Sequence, residues 1–76
     1  MFKKRKLNKQ IKQCKANIAD LESKRARSQA AIVSAILSHT EPSDEDVDFF
    51  NKFTALIDAE REKMRSLVAE LETLKS

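Results

Sequence analysis

Seventy-six residues make one domain at most, and a chain this short rarely buries enough apolar surface to be comfortably stable alone. One cysteine excludes an internal disulfide, and one histidine with no zinc-ligand spacing offers a metal nothing. The absence of glycine excludes phosphate-cradling loops, dinucleotide fingerprints and tight β-hairpins. The formal net charge of +3 is unevenly divided: residues 1–40 carry ten Lys and Arg against two acids, residues 41–76 five against ten.

The chain starts Met1-Phe2-Lys3-Lys4-Arg5-Lys6, a basic run with no signal-peptide core behind it. From Leu7 onward, apolar residues recur in steps of four and three: Leu7, Ile11, Cys14, Ile18 and Leu21, then Arg25 and Ser28, then Ile32 and Ala35. That is a heptad seam, with Ile11, Ile18, Arg25 and Ile32 at a and Leu7, Cys14, Leu21, Ser28 and Ala35 at d. It predicts a helix over about residues 3–39, with His39 in its last turn.

Pro42 disfavours helical geometry at Glu41, so the chain turns over about 40–43. Ser43 is a good N-cap, and Asp44, Glu45 and Asp46 place negative charge on the positive end of a second helix over about 44–75. Its seam runs Phe50, Phe53, Ile57, Glu60, Met64, Leu67, Leu71, Leu74. The whole of 1–76 then reads as one all-α, antiparallel two-helix hairpin. Every seam residue from Ile11 onward finds a partner if paired numbers add to 85, and the two polar intruders, Arg25 and Glu60, meet. In that register the pair fixes how the hairpin zips, Cys14 is a small buried hydrophobe opposite Leu71, and Lys3, Lys4, Arg5, Lys6 and Lys9 overhang the C-terminus as a candidate anion contact.

Near the turn the apolar content exceeds what one seam uses. Val33, Ile36, Leu37, Phe49 and Leu56 lie off it, and exposed they would form a patch larger than soluble monomers tolerate. They are the candidate interface for a second copy, giving a four-helix bundle, or for a protein partner. Glu41, Asp44, Glu45, Asp46 and Asp48 form a candidate acidic partner surface.

Catalysis is not expected. His39 has no nucleophile near it in sequence, carboxylates two apart on a helix face different ways, and a hairpin offers no catalytic pocket. No cofactor is implied. No apolar run approaches the ~20 residues needed to span a bilayer, so no membrane partner is expected. A lone cysteine suits the cytoplasm. The plan resembles small phage antirepressors, short helical hairpins that assemble into bundles and pull a repressor off its operator. That resemblance implies a homo-oligomer that seizes one protein partner and so regulates transcription. In outline the chain is also similar to Rop-type RNA-binding hairpin dimers, which implies nucleic-acid contact through the basic N-terminus. A purely structural coiled coil is the third reading.

Overall fold

The computed structural model describes residues 2–75 as two helices, α1 (Phe2–Leu37) and α2 (Asp44–Lys75), joined through residues 38–43. They pack antiparallel as the heptads require, making a rod of 56 × 16 × 14 Å.

Hydrogen bonding at the turn explains where each helix stops. The Thr40 N–H donates to the Ala35 carbonyl at 2.9 Å and the His39 N–H to the Ile36 carbonyl at 3.1 Å. This pair of bonds is a Schellman cap, which requires a left-handed residue between helix and loop. His39 supplies it with φ 58°, in a chain that has no glycine for the task. His39 is therefore not in the last helical turn, as expected from sequence, but just beyond it. The Thr40 hydroxyl reinforces the cap by donating to the same Ala35 carbonyl at 3.0 Å.

Beyond Pro42, Ser43 caps α2. The Asp46 N–H donates to its Oγ at 3.1 Å, and its hydroxyl donates to Asp46 Oδ2 at 2.9 Å. Asp44, Glu45 and Asp46 fill the first turn of α2, where the helix dipole favours negative charge.

The register differs from the expected one by a full heptad. Leu7, Ile11 and Leu71 form one buried cluster with Met64 and Leu67 packed on it. Two interhelical ion pairs flank the seam on opposite sides, Lys3 to Glu70 at 3.9 Å and Glu22 to Arg61 at 3.4 Å. Facing seam residues whose numbers add to 78 satisfy all of these contacts: Leu7 with Leu71, Ile11 with Leu67, Cys14 with Met64, Leu21 with Ile57. Lys3 consequently sits beside α2, and the expected overhang does not exist.

The turn accounts for the shift. The chain reverses at His39, before the half-buried Pro42 and the start of α2. A symmetric loop centred on residues 42 and 43 would have kept the other register. Arg25 now stands level with Phe53 and Glu60 level with Ile18, and no ion pair joins Arg25 to Glu60. The Glu60 Oε2 atom is buried without a hydrogen-bond partner.

The core is unevenly placed. Its buried apolar side chains are Leu7, Ile11, Cys14, Ile18, Ile57 and Leu71, nearly all in the open half of the rod. In the turn half, Ile57 near the middle of the rod is buried, and beyond it the described buried side chain is polar, Ser28, while Ile32, Phe50 and Phe53 are only half-buried. The end richest in apolar residues is thus the end that buries them least.

Candidate functional site

The five off-seam residues near the turn are all exposed: Val33, Ile36, Leu37, Phe49 and Leu56, with Leu37 reaching 75%. They do not make one patch. The ion pairs locate the two sides of the hairpin, and the five residues divide between different faces.

Phe49 and Leu56 lie on the side of the seam that carries the Lys3–Glu70 pair. The Phe49 ring stacks on Phe53, with centroids 6.0 Å apart and planes inclined by 13°. These rings form one wall of a groove whose other wall is Lys24, Arg27 and Ser28 of α1. One turn further along α2, Leu56 and Ala59 line a second depression with Asn17, Asp20, Leu21 and Glu60. The result is a trough between the helices, apolar on its α2 wall, whose α1 wall carries Arg27 and a Lys24 paired with Asp20 at 3.1 Å. It has the form that accepts the apolar edge of a partner helix.

Val33 and Leu37 instead point away from α2. They line a shallow depression on the outer face of α1 with Ala26, Gln29, Ala30, Ser34 and Ser38. This face continues a line that sequence reasoning missed. At steps of three and four, Ala16, Ala19, Ser23, Ala26 and Ala30 lead to Val33 and Leu37, all exposed and none charged. It is a second heptad seam on the back of α1. The signal is present in the sequence, but alanine and serine at these positions give it little contrast with an ordinary exposed helix face. Ile36 stands between this face and α2, level with the exposed Val47.

Charge is segregated along the rod. Residues 2–19 hold seven Lys and Arg and no acid. Across from them, residues 60–75 hold four of each sign, and there Glu70 is engaged by Lys3 and Glu62 by Arg65. Lys4, Arg5, Lys6 and Lys9 are exposed and unpaired, so of the five named anion contacts only Lys3 has an acidic neighbour. At the other end, residues 41–59 hold six acids against one lysine. Glu41, Asp44, Glu45 and Asp48 are exposed, whereas Asp46 is half-buried and tied into the Ser43 cap. The acidic surface therefore has four free members.

Cys14, at 1% exposure, is a buried residue as expected, but its neighbour is Glu60 and not Leu71. Burial pushes its thiol above the ordinary value of 9.0, and the nearby Glu60 carboxylate pushes it the same way. Such a thiol is protonated and shielded, the opposite of a reactive cysteine.

Among the described residues no group of three or more His, Cys, Asp and Glu is placed to hold a metal ion. No helix of the described chain is long and apolar enough to cross a membrane. Comparison with protein-family models, curated proteins and solved structures returns no match.

Proposed function

We propose that this chain is a small, non-catalytic regulator that associates with itself through its helical hairpin and binds and blocks one protein partner, such as a transcriptional repressor. The observation that carries this reading is the mismatch between apolar content and burial at the turn end. The stacked Phe49 and Phe53 rings and Leu56 line an open trough, while the apolar back of α1 is uncovered. Large apolar surfaces left open in this way mark contact sites. The trough suits helix-in-groove docking, with Arg27 on its wall favouring an acidic side chain on the partner helix. A cytoplasmic setting suits a repressor-directed role and the free thiol.

A second reading has its own support. The acid-free stretch of residues 2–19, with Lys4, Arg5, Lys6 and Lys9 unpaired, would attract nucleic acid with weak, salt-sensitive affinity.

One capture experiment separates the two. The chain is immobilised, incubated with lysate of its source with and without nuclease treatment, and the bound material identified by mass spectrometry. The expected outcome is one stoichiometric protein that survives nuclease and moderate salt. It should be lost from the Phe49→Glu/Leu56→Glu variant, whose helix content by circular dichroism should be unchanged. Capture that disappears with nuclease, and instead depends on Lys4, Arg5, Lys6 and Lys9, would establish the nucleic-acid reading.

A further inference from the structure

We infer that the outer apolar face of α1 is covered by the same face of a second copy, the two α1 helices running antiparallel. The assembly is then a layer of four helices in the order α2, α1, α1, α2. This deepens the self-association in the proposed function and rests on it. It assigns the two apolar surfaces different tasks: the back of α1 joins the copies, and the Phe49–Leu56 trough stays open for the partner.

The occupant follows from shape and charge. The face is a straight heptad line, which fits another straight helix, and its small members Ala19, Ala26 and Ala30 let that helix approach closely. A parallel pair would set the seven cations of residues 2–19 beside the same seven, and the acidic turns beside each other. An antiparallel pair removes both repulsions. It also extends the basic half of each α1 past the turn of the other copy, away from the same half of its partner.

Charge also selects the register. If facing residues added to 49, Leu37 would meet Lys12, Arg27 would face Arg27 across the two-fold axis and Glu22 would face Glu22. Moving one heptad, so that facing residues add to 56, gives the longest overlap without a charge on the line. Leu37 then covers Ala19, Val33 covers Ser23 and Ala30 covers Ala26. The flanking positions bring Glu22 beside Gln29 and Arg27 beside Ser34, so the two like-charge pairs of the other register are gone.

Thiol cross-linking of the full chain tests this arrangement. Ser23→Cys and Val33→Cys chains are prepared separately, then oxidised alone and mixed, and read on a non-reducing gel. The wild-type chain serves as the control, its own Cys14 being buried. In the inferred dimer, position 23 of one copy meets position 33 of the other, whereas two copies of position 23 are ten residues apart along the axis, roughly 15 Å. The expected result is a covalent dimer in the mixture at least tenfold above either chain alone. Ser23→Cys linking to itself would show a parallel pair and overturn the inference, as would an absence of cross-linking in the mixture. Ala30→Glu, at a position exposed in the single hairpin, should turn the dimer into a helical monomer by sedimentation, whereas Phe49→Glu/Leu56→Glu should leave it dimeric. The reverse pattern would place self-association in the trough and overturn the inference. Partner capture is read separately. Capture retained by Ala30→Glu supports the division of tasks, and failure of every chain to capture a protein, with cross-linking intact, counts against the proposed function alone.

Discussion

His39 adopts a left-handed backbone that costs a residue with a Cβ roughly 1–2 kcal/mol relative to the right-handed form. Glycine escapes that penalty but makes the unfolded chain more flexible, which returns part of the gain. His39→Gly should therefore stabilise the hairpin by about 1 kcal/mol, read as a higher urea midpoint with an unchanged slope. At Cys14 the sign of the linkage is equally definite. A thiol whose folded pKa is raised contributes stability in full below its unfolded value of about 9.0, and that contribution is lost as pH climbs through the folded value. Urea melts at neutral and strongly alkaline pH should show an alkaline loss that Cys14→Ala reduces. Neither effect could be read in the sequence. The left-handed turn falls on a histidine where glycine would have announced it, and the neighbour of Cys14 depends on the register.

At the scale of the helices, the two seams, the Ser43 cap and the role of Pro42 were all legible, because each is a local pattern of spacing or capping. The register was not. Both alignments preserve the heptad, and Arg25 opposite Glu60 is an attractive local match. What decides is the cap at residues 38–40, which reverses the chain early. A buried ion pair offers little net stabilisation beyond its desolvation cost, so it has little power to oppose that choice. Two outcomes follow. Arg25→Glu and Glu60→Arg should show additive effects in a double-mutant cycle, with coupling below about 0.5 kcal/mol, because seven residues of helix, about 10 Å, separate their levels. Glu60→Leu should stabilise the hairpin by about 1–3 kcal/mol in urea unfolding, since it replaces a seam carboxylate whose Oε2 atom lacks any partner.

For the molecule as a whole, the sequence places Val33, Ile36, Leu37, Phe49 and Leu56 off the seam, and all five are exposed. Their division between two faces was not visible, because it needs the position of α2 as well as the heptad of each helix. The core lies mostly in the basic half, while most large apolar side chains of the turn half stay exposed or half-buried. The segregation of charge has a consequence of its own. In physiological salt an electric field fades over about 8 Å, a small fraction of the 56 Å rod. No partner then senses the net charge of +3: one arriving at the open tip meets a polycation, and one arriving at the turn meets a polyanion. Over distances longer than the screening length the two tips behave as separate particles joined by a rigid spacer, so each can be neutralised, titrated or occupied without the other registering it.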